Sequence, residues 1–281
     1  YAFKYATATT AGAWASGGNL NTARSSFAGS GSQTASLVFG GYNGSRSAAS
    51  ESYNGAVWTT TPSINNARSN TAGSGSGSNT AALMFGGWEV PGFSAATESY
   101  NGSTWTSVSS LNTARWGLGG AGTQTASLAF GGTTNSTESW NGSSWTTIPA
   151  NINTSREMST GIGLQTAALA VGSGTNSESY NGTIWTATPA LNTSRSAGST
   201  NGAGTQTAGL VFGGSGFSTG STESWNGASW ATTTNMATAR DGLAGCGTQT
   251  SALAAGGANP GYVTATEEYT VAATTKTFTT S

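Results

Sequence analysis

The chain contains no histidine. That removes the commonest general base, the commonest metal ligand and every Ser-His-Asp arrangement. A single cysteine, Cys246, excludes an internal disulfide and a cysteine zinc site. Its neighbours Gly245 and Gly247 mark it as a small strand residue rather than a reactive thiol. The single aspartate, Asp241, excludes an EF-hand-like calcium loop. Charged residues are only 7% of the 281, the net charge is −1, and no basic run exists. The chain therefore offers no electrostatic footprint for nucleic acid or anionic lipid. No apolar stretch reaches the roughly 18 residues of a transmembrane helix, so membrane insertion is not expected. No signal peptide is visible, and the chain begins at Tyr1 rather than Met, which fits a processed protein or the ordered part of a longer one. Neither cofactor nor metal is expected.

What fills the space is Gly, Ser, Thr, Asn and Ala, with 43 glycines. Such a composition alone would suit a disordered tract. Ten Trp, eight Tyr and nine Phe argue against that, because they recur at fixed offsets. Trp14, Trp58, Trp105, Trp145, Trp185 and Trp230 are spaced by 44, 47, 40, 40 and 45 residues. Each is followed by an Asn/Ala/Thr/Arg phrase (LNTAR at 20–24, INNAR at 64–68), a Gly/Ala/Ser stretch, a segment such as SQTASLVFGG at 32–41, a variable loop, and Glu-x-Tyr/Trp. No helical 3.6 period occurs. Each unit reads as four short strands: one of small residues suited to a crowded centre, one apolar and ended by a Gly pair, one alternating, and one opened by the Trp. Asn-Gly after the third predicts a type I′ hairpin. Units of this length built from four strands predict an all-β six-bladed propeller. It forms one domain over 1–281, with repeats from about 14–58, 58–105, 105–145, 145–185, 185–230 and 230–281.

Twelve of the 19 charges fall in two slots of the repeat. The basic slot holds Arg24, Arg68, Arg115, Arg156, Arg195 and Arg240; the acidic one holds Glu51, Glu98, Glu138, Glu178, Glu223 and Glu267. Burial would demand that they pair, within a blade or across neighbours, because a lone buried charge is very costly. Tyr53, Tyr100, Trp140, Tyr180, Trp225 and Tyr269, with the marker tryptophans, should pack between blades. Gln33, Gln124, Gln165, Gln206 and Gln249, with Asn79 in the second unit, should sit in the turn between the first two strands and bond its backbone. The last unit, TEEYTVAATTKTF, lacks the usual Trp. Trp14 is expected to supply its outer strand and close the ring, leaving the tail from about Thr270 free; Phe278 is the alternative.

The Arg, the Gly-Gly, the Glu-x-Tyr and the Trp, in this order, resemble the kelch repeat over nearly the whole chain. The short, low-charge, Gly/Ser/Thr-rich units are similar to the kelch-like repeats of tailed-phage structural proteins, marine ones in particular. The resemblance implies blades with strand a innermost and d outermost, and d–a and b–c loops sharing one face. The unrepeated residues of those loops are then the candidate ligand contacts: Tyr42, Arg46, Trp88, Glu89, Phe93, Phe217 and Tyr262 from b–c, and Trp116, Glu157 and Asp241 directly after a repeat Arg. An unrepeated aromatic on a loop suits a sugar ring or a partner's apolar anchor. The resemblance implies a non-enzymatic virion or extracellular surface protein: an adhesion module for a host-surface glycan or receptor, or a fibre or decoration component among other virion or surface subunits. An intracellular kelch adaptor docking a protein partner is the alternative. A carbohydrate-active enzyme is a lesser one; its carboxylate pair would come from Glu89, Glu157, Asp241 and Glu268, with Glu157 and Asp241 meeting across the ring.

Overall fold

The structure of the protein, a computed structural model, describes residues 11–195, 202–214 and 219–272. Its strands form six four-stranded antiparallel sheets. Blade one comprises β2 (Ala28–Ser32), β3 (Ala35–Phe39), β4 (Ser50–Tyr53) and β5 (Trp58–Thr61). Blade two comprises β6 (Ala72–Gly73), β7 (Ala82–Phe85), β8 (Thr97–Tyr100) and β9 (Trp105–Val108). Blade three has β10 (Leu118–Gly122), β11 (Ser127–Gly131), β12 (Thr137–Trp140) and β13 (Trp145–Ile148). Blade four has β14 (Ser159–Leu164), β15 (Ala167–Gly172), β16 (Ser177–Tyr180) and β17 (Trp185–Ala187). Blade five has β18 (Gly202–Gly204), β19 (Gly209–Phe212), β20 (Thr222–Trp225) and β21 (Trp230–Thr233). Blade six has β22 (Ala244–Gly247), β23 (Ser251–Ala255), β24 (Thr266–Thr270) and, as its outer strand, β1 (Ala13–Ser16). The sheets are thus offset by one strand from the Trp-to-Trp frame.

Trp14 lies opposite Tyr269 in the β1–β24 ladder, so the first strand of the chain completes the last blade. Its indole donates to Thr222 Oγ1 (3.2 Å) and packs on Phe212 at 5.1 Å between ring centres. Phe278 lies outside the described residues, as does the tail beyond Ala272.

The core sits in the seams between blades. Leu37 and Phe39 of β3 join Ala82, Met84, Tyr100 and Trp105 of blade two, while Val38 between them faces blade six. Both faces of the second strand are therefore buried, which is why it reads as an unbroken apolar run. At the centre only small residues fit. A Cβ on Gly161 would lie 2.1 Å from the carbonyl oxygen of Gly120 in the neighbouring blade. Two devices tie the centre together. On the d–a side, Ser26 N–H donates to Gly242 O, Asn70 N–H to Ser26 O, Gly117 N–H to Asn70 O and Ser159 N–H to Gly117 O, linking the corners of successive blades. On the other side, unit two carries a longer a–b turn (AGSGSGSNT, 72–80). Its Ser76 donates from N–H to Gly122 O (3.1 Å) and from Oγ to Gly163 O (2.9 Å), reaching blades three and four.

Two turn expectations need correction. Asn-Gly does not form a two-residue type I′ turn. Tyr53 pairs with Trp58, leaving four residues in the loop, and Asn54 Oδ1 accepts the N–H of Ala56 (3.0 Å) and Val57 (2.9 Å). The side chain performs the work of a turn carbonyl, so Asn54 needs no positive φ; only Gly55 does (φ 90°). The glutamine amides, likewise, do not bond their own turn. Gln124 Nε2 reaches Tyr100 O (2.5 Å) and Ser99 Oγ (2.9 Å) of the preceding blade, and Gln165 and Gln249 repeat this on Trp140 O and Trp225 O. Gln33 does so across the closing seam, on Tyr269 O (2.7 Å). The amide reaches a carbonyl of the preceding blade instead of its own turn, and the bond clamps two blades. The shorter Asn79 makes no such bond among the described residues.

The marker tryptophans follow a rule across the same seams. Trp58, Trp145 and Trp185 donate Nε1 to Thr266, Thr97 and Thr137 of the preceding blade, at 3.0, 3.0 and 3.1 Å. Where that slot is serine the bond is missing: Trp105 Nε1 and Ser50 Oγ are both buried without a partner. Threonine's methyl restricts χ1, whereas serine lets its hydroxyl turn away. Ser50→Thr should therefore raise stability by about 1 kcal/mol, seen as a higher urea midpoint with an unchanged slope; no shift would refute the reading.

Candidate functional site

Each blade roots its loops with a buried ion pair. Arg68 Nη2 meets Glu98 Oε1 at 2.6 Å, Arg115 meets Glu138 at 3.0 Å, Arg195 meets Glu223 at 2.7 Å and Arg240 meets Glu267 at 2.9 Å; Arg24–Glu51 and Arg156–Glu178 pair likewise. All six lie within a blade rather than between blades. Burial pushes each guanidinium pKa down and the facing carboxylate opposes that shift. Arginine, with its very high starting value, stays charged. The second carboxylate oxygen accepts a backbone N–H from the d–a corner, such as Asn65 (2.7 Å) or Asn112 (2.7 Å). The guanidinium's other amine takes carbonyls at the foot of the b–c loop, such as Ser136 O at 2.7 Å from Arg115. One pair thus fastens a corner to a loop. The residue after the Arg then bridges the residue after the Gly pair: Ser25 with Tyr42, Ser69 with Trp88, Asp241 with Ala258. The b–c loops and d–a corners consequently share one face.

On that face the unrepeated residues gather across the seams. Tyr262 of blade six packs edge-on against Tyr42 of blade one at 5.9 Å. Arg46 of blade one reaches blade two, donating Nε to Trp88 O (3.2 Å) and lying 5.5 Å from the centre of the Trp88 ring. Trp88 packs on Phe93 of its own loop (5.5 Å) and on Trp116, from the corner leading into blade three (5.4 Å). Phe93 and Trp116 stack at 6.3 Å. Tyr42, Phe93 and Tyr262 remain 37–46% exposed. Beside this cluster lies an open groove of about 670 Å³ lined by Tyr42, Arg46, Asn65, Asn66, Glu89 and Val90, among others. Asn65, Asn66 and Val90 were not singled out from the sequence. Asn66 had one signal, standing where the other five units have Thr.

The remaining candidates do not join the cluster. Glu157 is exposed on the corner into blade four. Asp241 is half-buried on blade six, its pKa raised by burial. Blade five lies between those two blades. Glu268 is held by Tyr53 Oη (2.6 Å) at the closing seam, and burial and this bond push Tyr53 up to about 12. Phe217 lies outside the described residues. Cys246 is buried in the inner strand of blade six, and burial pushes its thiol up to about 11. Among the described residues no three His, Cys, Asp or Glu side chains group as metal ligands, and no helix is long and apolar enough to cross a membrane.

The chain is a six-bladed β-propeller, a fold that generally serves as a binding scaffold. No protein-family model matches it, and no curated protein matches it either.

Proposed function

We propose that this protein is a non-enzymatic, kelch-type binding module of a virion or extracellular surface, which holds a glycan on its b–c and d–a face. The observation that carries the reading is the convergence of Trp88, Phe93 and Trp116 from two blades, with Arg46 on the Trp88 ring. None of these residues is required by the repeat, yet the ion pairs beneath hold them in place. Stacked aromatics offer an apolar face to a pyranose at low entropic cost, since they are already ordered. The absence of histidine and the separation of Glu157 from Asp241 by a whole blade favour binding over hydrolysis. Low charge and abundant Ser and Thr suit a protein that persists outside a cell, among other surface or virion subunits.

Arrayed glycans probed with the purified chain test this. Binding should be saturable, and Trp116→Ala should weaken it at least tenfold with an unchanged melting temperature. A blank array, with a protein peptide captured instead on the same face, would favour the adaptor reading.

A further inference from the structure

Resting on that reading, we infer that the groove beside the aromatic cluster selects an acidic sugar, one carrying a single carboxylate among hydroxyls. The argument begins with charge. Of the nine basic residues, six are consumed in buried ion pairs, and Lys4 and Lys276 lie outside the described residues. Arg46 is the one that remains, and no carboxylate pairs with it among the described residues. Its position is set before any ligand arrives: Nε is committed to Trp88 O, and its plane lies near the Trp88 ring. The two terminal amines are left to the groove. A planar fork held in this way matches a carboxylate with two parallel hydrogen bonds.

The opposite requirement comes from Glu89, which lines the same groove. A carboxylate there opposes a doubly charged phosphate monoester more strongly than a singly charged carboxylate, and it accepts hydroxyl donors. Asn66 adds an exposed amide, and Tyr42 offers a ring face at the groove's edge. A uronic or sialic acid meets all of these at once: its carboxylate on Arg46, its hydroxyls on Glu89 and Asn66, its apolar face on Tyr42. The volume, about 670 Å³, lies within the range of small-ligand sites. A neutral sugar would leave the Arg46 fork unanswered, and an anion without hydroxyls would leave Glu89 unanswered.

Calorimetric titration of the full chain with trigalacturonate and with 3′-sialyllactose, each beside its carboxyl-reduced form, decides the matter. At least one acidic probe should bind tenfold or more tightly than its reduced form. Arg46→Gln should erase that difference, Arg46→Lys should keep only part of it, and Glu89→Gln should tighten the acidic probe a few-fold. Both positions are partly exposed, and an unchanged melting temperature verifies folding. Equal binding of acidic and reduced forms overturns the inference and leaves the aromatic platform standing. So does binding lost in Trp116→Ala but untouched in Arg46→Gln. Failure of both acidic probes to bind at millimolar concentration overturns it too, while the glycan array judges the platform separately.

Discussion

Replacing Glu138 by glutamine is expected to lower the unfolding free energy by about 3–5 kcal/mol. Glu138 is fully buried, and its two oxygens have separate duties: Oε1 faces Arg115 Nη2 at 3.0 Å, and Oε2 accepts the Asn112 N–H at 2.7 Å. A neutral amide answers the guanidinium with less charge and turns an N–H₂ donor toward another donor. Burial already pushes the Arg115 pKa down, so the loss of its counter-charge leaves an uncompensated cation in a low-dielectric seam. The double variant Arg115→Met/Glu138→Gln should recover much of the loss, since removing the guanidinium leaves no stranded charge. A double-mutant cycle in urea measures this coupling. A loss below 1 kcal/mol, or simple additivity, would show that the pair is not a buried unit. The consequence reaches function as well, because Arg115 also holds the foot of the 132–136 loop through Ser136 O.

The second large effect concerns closure. A chain starting at Gly17 lacks β1, so β24 is left with an open edge and Phe212 and Tyr269 lose the Trp14 ring. An unpaired edge beside exposed aromatics templates association. Aggregation, or a melting temperature lowered by well over ten degrees, is the expected result. Trp14→Ala keeps the backbone ladder and isolates the side chain. It should cost about 3 kcal/mol, the low end for tryptophan truncation, because the ring is only half-buried. A truncated chain that stays monomeric and melts like the parent would mean that the ring does not depend on its first strand.

Much of the fold was legible because propeller blades repeat one set of constraints. The Gly/Ala/Ser stretches and the matched Arg and Glu slots each appear six times, the apolar runs end in Gly-Gly five times and in Gly172-Ser173 once, and each feature has one physical explanation. The glutamine misreading came from treating a turn residue as local. Gln124 lies beside its own turn in sequence, but the acceptor it satisfies is Tyr100 O, on another blade. The hairpin misreading came from the dipeptide: Asn-Gly favours type I′, yet the four-residue loop lets Asn54 Oδ1 stand in for the backbone. At the candidate site, the aromatics were visible as departures from the repeat, but their partners were not. Nothing in the spacing of Arg46 and Trp88, or of Trp88 and Trp116, announces contact.

By itself the sequence determined the blade count, the strand order within a blade and the identity of the charged slots, because these follow from periodic patterns and from the cost of burying unmatched charge. It left the closing strand open between Trp14 and Phe278, and the β1–β24 ladder gives that role to Trp14. The tertiary structure alone decided that each ion pair closes within its own blade, that glutamines clamp neighbours, and that Tyr262, Tyr42, Arg46, Trp88 and Trp116 form a run across three seams. The reason is geometric. Contacts along a blade are set by register, which the chain encodes residue by residue, whereas contacts across a seam depend on how blades tilt and how loops of unequal length fold over them.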